Sequence, residues 1–358
     1  MPKYRSDLMS IPSYVPGKPI EEVARELGLT AIDKLSSNEC PTEPFPAVVD
    51  AITEAASHVN RYPETSAHRV RLALAKYHDV DPTEVWVGAG SSDVLRSVAL
   101  SVGGPGTSAV FADPSFILYP ITTMICGAEP IAVPLAEGYR HDLEAMRDAI
   151  RDDTTIVYVC SPNNPTGGHT SIDDVRSFID SVPESVLVVV DEAYAEYVTS
   201  NDYASMVTEA ASRPNVIALR TFSKIYGLAG LRIGFGIANA ELIRSAQRTQ
   251  APFSVTTLAQ VAAVEALKHQ DLVAQRLADN AVGRSYLSSE LTSRGFTPAP
   301  TQANFVYFEP DQPPRDLADA LMANGVIVRP LGGGVRVSVG TQAENSRFIS
   351  ALDTVMVN

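Results

Sequence analysis

Cysteine is scarce in this sequence of 358 residues: Cys40, Cys126 and Cys160 are odd in number and widely spaced. That excludes a disulfide framework and the paired spacing of a zinc knuckle. The six histidines show no metal spacing either, so no metal is expected. His68 and His78 flank a helical pattern over Val70 to Tyr77 and read as solvated residues on a helix face. Basic residues are outnumbered, 28 against 42 acidic, for a formal charge of −14. With no Lys/Arg cluster, a general nucleic-acid binder is excluded, although a local pair of arginines can still oppose the overall field and hold a small anion. No apolar run approaches the length of a membrane span, and Met1 to Ser13 lacks the apolar stretch of a secretory leader, which leads us to expect a cytoplasmic protein with no membrane partner. Repeats and low-complexity segments are missing, and the proline in Asn164-Pro-Thr bars that triplet from glycosylation.

What is present is an ordinary globular composition, 45 % hydrophobic and 20 % charged, in a chain long enough for two domains. Short β-rich runs alternate with amphipathic helices through the first two thirds, the pattern of a mostly parallel α/β sheet. The strand candidates are Val85 to Val87, Ala109 to Ala112, Thr155 to Cys160, Val186 to Val190, Val216 to Arg220 and Ile233 to Ile237. In open sheets of this kind ligands bind beyond the carboxyl ends of the strands, which makes the residues there the candidates for function.

After Val87, the run Gly88-Ala-Gly-Ser-Ser-Asp permits a tight turn. Either Ser91 or Ser92 can cap the following helix, whose free N–H groups and dipole suit a phosphate. A plain N-cap fits as well, and the third glycine of a dinucleotide fingerprint is missing. After Ala112, Phe116 or Tyr119 offers a ring for stacking, unless either is simply core. After Cys160, the turn-rich Ser161-Pro-Asn-Asn-Pro-Thr-Gly-Gly presents Asn164 as a donor to a phenolate-like oxygen. After Val190, Asp191-Glu-Ala-Tyr194 puts a carboxylate at the end of an apolar strand. There it caps the next element, pairs with an arginine, or meets a cationic ring nitrogen. After Arg220 comes Ser223-Lys224, with Arg232 eight residues beyond Lys224 among glycines. Taken together, an amine, a hydroxyl, a guanidinium, a phosphate turn, a ring partner and a buried acid are the groups that pyridoxal 5'-phosphate (PLP) requires.

These motifs also resemble fold-type I PLP enzymes of the class I/II aminotransferases, in the histidinol-phosphate and aromatic amino acid (phenylalanine) aminotransferase subgroup. The resemblance is nearly full-length. It runs from Tyr14-Val-Pro-Gly-Lys-Pro through Lys34-Leu-Ser-Ser-Asn-Glu, Asn60-Arg-Tyr62-Pro and the strand-end motifs to Thr301-Gln-Ala-Asn-Phe-Val and Val335-Arg336-Val-Ser-Val-Gly-Thr. It implies an α/β fold, with a large domain whose mostly parallel sheet is flanked by helices and a smaller α+β domain. The expected division is an N-terminal arm over 1–35 that joins the small domain, a PLP-binding domain over 36–248 and a small domain over 249–358, with the active site between the domains at a homodimer interface.

Residue by residue, the resemblance implies that Lys224 binds the cofactor aldehyde as a Schiff base and that Asp191 pairs with the ring nitrogen. Asn164 and Tyr194 bond the ring oxygen and Tyr119 stacks on the ring. Gly90, Ser91, Ser92, Ser223 and Arg232 hold the phosphate, with Tyr62 reaching across from a second subunit. Arg336 receives the substrate carboxylate or, in the histidinol-phosphate enzymes, a phosphate, with Tyr14 and Arg329 nearby. Physical reasons accompany these roles. An ionised Asp191 keeps the ring nitrogen protonated. Lys224, once released, moves a proton at the substrate Cα, helped by a guanidinium and the Tyr194 phenol, which favour a lowered amine pKa. Val335, Val337 and Val339 face one side of their strand and Arg336 the other.

The substrate is less legible. Tyr14 to Gly28 resembles histidinol-phosphate aminotransferases. Ile11-Pro-Ser-Tyr, Gly90-Ser-Ser, Arg220-Thr-Phe-Ser-Lys and Ala299-Pro-Thr-Gln resemble the aromatic enzymes. Asn38-Glu-Cys40-Pro departs from the usual Asn-Glu-Asn-Pro, and Arg329-Pro-Leu-Gly-Gly-Gly-Val-Arg336 is shorter than the loop of the histidinol-phosphate enzymes. The expectation is transamination of an aromatic L-amino acid with 2-oxoglutarate, with histidinol phosphate as the alternative donor. A PLP decarboxylase of phosphorylated amino acids and a regulatory module on the same fold are the more remote readings.

Overall fold

The computed structural model describes residues 3–14 and 17–357. Its strands are β1 (Asp33–Lys34), β2 (Val85–Gly88), β3 (Ser108–Asp113), β4 (Glu129–Pro134), β5 (Thr154–Cys160), β6 (Leu187–Asp191), β7 (Val216–Thr221), β8 (Gly234–Ile237), β9 (Phe305–Phe308), β10 (Val326–Ile327), β11 (Arg329–Leu331) and β12 (Gly334–Ser338). Seven of them form one sheet in the order β2-β8-β7-β6-β5-β3-β4, in which β8 alone runs antiparallel to its neighbours. The six strands expected from hydrophobic pattern are all in it.

Runs without polar interruption suit strands covered on both faces. In β5 to β7 the alternate residues Val157, Val159, Val188, Val190, Val216 and Ala218 enter one core. Their neighbours Ile156, Tyr158, Cys160, Leu187, Val189, Ile217 and Leu219 enter the other. Burying each valine contributes about 1.5–3 kcal/mol, so the central strands are held rigidly from both sides. Their register places Cys160 beside Asp191 and Asp191 beside Leu219, aligning the carboxyl ends on one rim. At the sheet edge, β4 escaped the hydrophobic reading. Its Glu-Pro-Ile-Ala-Val-Pro is weakly buried and carries a proline at position 130 and another at 134, tolerated where one side of the strand has no ladder partner.

A second, three-stranded antiparallel sheet has the order β11-β12-β9. Helices Gln270–Ser293, Pro314–Ala323 and Gln342–Val357 pack on it through Leu287, Leu291, Leu317, Leu321, Phe348 and Leu352, which meet Val306, Phe308, Val335 and Val337. The early chain joins this unit: β1 pairs in parallel with β10, Leu35 lies in the same core and Asp33 pairs with Arg347.

Beyond the boundary expected at 249, Ala259, Ala262, Ala263 and Ala266 of helix Thr257–Ala266 are buried in the core of the large sheet, because their small side chains allow a close approach. His78 also departs from expectation. It packs its ring 5.5 Å from that of Phe235, and burial holds it down to about 3, whereas His68 is exposed.

Candidate active site

The strand ends of the large sheet and one face of the small sheet enclose a cavity of about 240 Å³. It is lined by Ser91, Ser92, Asn164, Asp191, Tyr194, Ser223, Lys224, Arg232, Arg329 and Arg336, with Tyr14 at its exposed edge. A wider cleft of about 1040 Å³ lies along Arg140, His169 and Asp202 and contains none of these groups.

Gly90 takes φ +82 just before helix Ser91–Val102, turning the chain so that the first-turn amides face outward. Two glycines make this cup compact. A Cβ on Gly90 would lie 2.7 Å from Arg232 Nη2, and one on Gly234 would lie 2.2 Å from the Ser91 nitrogen. Arg232 itself sits in the left-handed region at φ +56 and donates from Nη1 to the Ala229 carbonyl at 2.9 Å. Ser223 follows β7, where its N–H donates to Thr221 Oγ1 at 3.0 Å. Hydroxyls, amides and a guanidinium thus converge on one anion-sized space.

Deeper in, Asp191 accepts from the Ala193 N–H at 3.1 Å and from the Tyr119 hydroxyl at 2.9 Å. Burial nevertheless raises its carboxyl to about 6, with the Tyr119 bond opposing. Arg220 does not relieve it, being engaged with Glu192 at 3.3 Å and Glu196 at 2.7 Å. A buried acid held up in this way favours a cationic ligand, as a protonated ring nitrogen would be. Lys224 Nζ donates to the Ser37 carbonyl at 3.2 Å. Burial, then the positive charge of Arg336, hold this amine down to about 7, which keeps much of it neutral and nucleophilic near neutral pH. Tyr194 presents its ring face 5.5 Å from Nζ; the expected help of its phenol in lowering the amine is replaced by burial.

Tyr119 requires a correction. Its ring is fully buried and stacked on Tyr158, with centroids 4.7 Å apart and planes 11° from parallel, and its hydroxyl is spent on Asp191. It does not line the cavity; Phe116 does. Three residues apart on one turn, one ring packs on Tyr158 and the other borders the cavity. Tyr62 is 83 % exposed, rests on Phe253 at 4.7 Å, and does not line the cavity of its own chain.

On the opposite wall Arg336 is buried and donates to Asn164 Oδ1 and, at 2.6 Å, to the Ser36 carbonyl. Burial pushes its guanidinium down to about 10, and Arg329 adds to that, so it stays charged at neutral pH. Val335, Val337 and Val339 point into the small core as the alternation required. Asn38 was missed as a site residue. It is buried at φ +53 and donates from Nδ2 to the Tyr194 hydroxyl at 2.9 Å. Its place in Lys34-Leu-Ser-Ser-Asn-Glu and the affinity of asparagine for the left-handed region were the available signals. Among the described residues, no group of His, Cys, Asp or Glu could hold a metal ion, and no helix is long and apolar enough to cross a membrane.

Residues 31–352 match the family described as aminotransferase class I and II. The chain is 43 % identical to a histidinol-phosphate aminotransferase of Moorella thermoacetica, over 99 % of this chain and 94 % of the relative. It is 42 % identical to an aromatic amino acid aminotransferase of Cutibacterium acnes, over 94 % and 96 %. The structure of a Sinorhizobium meliloti histidinol-phosphate aminotransferase in complex with PLP superposes with a TM-score of 0.92 at 28 % identity, covering 100 % of this chain and 98 % of that one.

A seven-stranded, mostly parallel sheet with a lysine and a glycine-lined turn at its rim defines a fold-type I transferase. The chain belongs to the class I and II aminotransferases and is a PLP-dependent aminotransferase. The cavity fits that cofactor, since the glycine-lined cup, the raised Asp191 acid and the lowered Lys224 amine answer its phosphate, ring nitrogen and aldehyde.

Proposed function

We propose that the enzyme moves the amino group of an aromatic L-amino acid, of phenylalanine or tyrosine type, to 2-oxoglutarate. When bound, PLP supplies an aldehyde and a protonated ring that draws electrons from the substrate Cα. Lys224 would hold the aldehyde, and its amine is placed to take and return the proton at the substrate Cα. Asp191 holds the proton on the ring nitrogen, and Phe116 covers one ring face. Asn164, whose Oδ1 is taken by Arg336, offers its NH₂ to the ring oxygen beside the Tyr194 hydroxyl. Gly90, Ser91, Ser92, Ser223 and Arg232 hold the phosphate, joined by Tyr62 from the second subunit of a cytoplasmic homodimer. Arg336 takes the substrate α-carboxylate in a planar fork. The early chain joins the small domain as an arm over 1–35, and the large domain runs from 36 through helix Thr257–Ala266.

The observation that carries the donor class is the apolar lining that Ile117 and Leu331, beside Phe116, give to the cavity that holds Arg336. Apolar lining in the same cavity as a carboxylate fork suits a side chain with no charge of its own. The test is a half-reaction. PLP-loaded enzyme is mixed separately with L-phenylalanine and with L-histidinol phosphate while the absorbance of the bound cofactor and the oxo acid formed are followed. Fast conversion by phenylalanine is expected; conversion mainly by histidinol phosphate would overturn the reading.

A second donor, histidinol phosphate, is favoured by one feature. Arg329 and Arg336 are directly opposed on β11 and β12 and both line the cavity, a density of positive charge suited to a phosphate.

A further inference from the structure

Asn38 is tied down at every polar atom. Its N–H donates to Ser338 Oγ at 2.8 Å, its Oδ1 accepts from the same hydroxyl at 3.0 Å, and its carbonyl accepts from Asn304 Nδ2 at 3.1 Å. In this arrangement the Ser338 hydroxyl donates to Oδ1, and Nδ2 is the end that meets the Tyr194 oxygen, at 2.9 Å. Among the described residues this is the phenol's hydrogen bond. Because the oxygen is accepting there, its own proton points elsewhere, and Tyr194 borders the cavity.

We infer that Asn38 is a positioning residue: by donating to the Tyr194 oxygen it directs the Tyr194 proton into the cavity, toward the ring oxygen of the bound cofactor. The inference rests on the proposed role of Tyr194 and adds what gives that role its direction. Asn38 also links the two walls. Its partners Ser338 and Asn304 belong to β12 and the approach to β9, with Ser338 two residues from Arg336, whereas Tyr194 follows β6 of the large sheet. The preceding residues complete the junction, the Ser36 carbonyl accepting from Arg336 and the Ser37 carbonyl from Lys224. The charged and titratable groups around the phenol are Arg336, Cys160, Asp191, Lys224 and Tyr197, and all of them remain in the variants below.

A hydrogen bond donated to the cofactor's ring oxygen favours its ionised form, so losing the bond raises the pH at which the absorbance of the bound cofactor changes. Titrating the PLP-loaded Tyr194→Phe enzyme should raise that midpoint by about one pH unit. Asn38→Gly, which suits the left-handed backbone, should raise it in the same direction by a smaller amount. The Asn38→Gly/Tyr194→Phe double variant should match Tyr194→Phe alone. If Tyr194→Phe leaves the midpoint unmoved, the role of Tyr194 fails and the inference with it. If Tyr194→Phe moves the midpoint but Asn38→Gly does not, or if the two shifts add, the inference alone fails. Ser338→Ala frees the amide without touching the left-handed residue and should give a rise no larger than that of Asn38→Gly. It decides the matter by the same criterion should Asn38→Gly not fold.

Discussion

Arg329 and Arg336 are register partners on neighbouring antiparallel strands, and both line the one cavity that collects the strand-end groups. Directly opposed residues share a face of a sheet, so an anion held by one lies within the field of the other. Arg336 is fixed by Asn164 and Ser36. Arg336→Gln should therefore lower kcat/KM for every amino-acid donor by about 10- to 100-fold, the loss of a charge-assisted bond to the carboxylate.

Arg329→Gln separates the two donors. With an aromatic substrate, its half-reaction rate should stay within about threefold of the parent enzyme. With histidinol phosphate, affinity should fall by about tenfold or more, because a dianion would lose one of two cations. Equal losses with both donors would show Arg329 serving the shared carboxylate.

Lys224 links the chemistry to stability. Its amine titrates near 7 in the folded apo-protein, against about 10.4 in an unfolded chain. Between those values the unfolded chain binds the extra proton, so this group's contribution to stability is full above the higher value and is lost as pH falls toward 7. Lys224→Met should abolish turnover and the visible band of bound cofactor. As an apo-protein it should melt at a higher temperature than the parent below about pH 7, with the advantage fading by about pH 10. A constant difference across that range would place the amine in water.

The opposite sign applies to Asp191. Its carboxyl is raised to about 6 by burial, so the folded apo-protein holds this proton more tightly than the unfolded chain. The associated stability is full below about pH 4 and is lost as pH rises to about 6. Apo Asp191→Asn should be more stable than the parent above pH 6 and converge with it near pH 4. The same variant loaded with PLP should lose about 100-fold or more in turnover, because an amide cannot hold a proton on the ring nitrogen. Full activity would overturn the role proposed for Asp191.

Most of the large sheet was legible in the sequence because its central strands are buried on both faces and read as unbroken apolar runs. Motif positions just beyond those strands were legible for the same reason: a strand end locates them. The edge strand β4 was hidden by its prolines and exposure. The different placement of Phe116 and Tyr119 was hidden because the two lie on one turn, and only packing shows which ring faces Tyr158 and which the cavity. Asn38 was hidden differently. Its role depends on Ser338 and Asn304, some 300 and 266 residues away, and no local pattern reports such a contact.

The cup proposed for the phosphate depends on a residue with no functional group. Gly234 lies in β8 opposite Gly88 and Thr221, and a methyl group there would stand 2.2 Å from the Ser91 nitrogen and 2.7 Å from the Gly90 carbonyl carbon. Neither neighbour is a flexible side chain, so the turn itself must move. The amides of the first helical turn would lose their common aim, and the overpacked strand would destabilise the fold by about 1–3 kcal/mol. Gly234→Ala should raise the dissociation constant for PLP by about tenfold or more while leaving Lys224 in place, so that excess cofactor partly restores turnover. Equilibrium titration of the apo-protein with PLP measures this directly. Unchanged affinity in a folded variant would mean that the phosphate is held by Ser223 and Arg232 without the help of the turn.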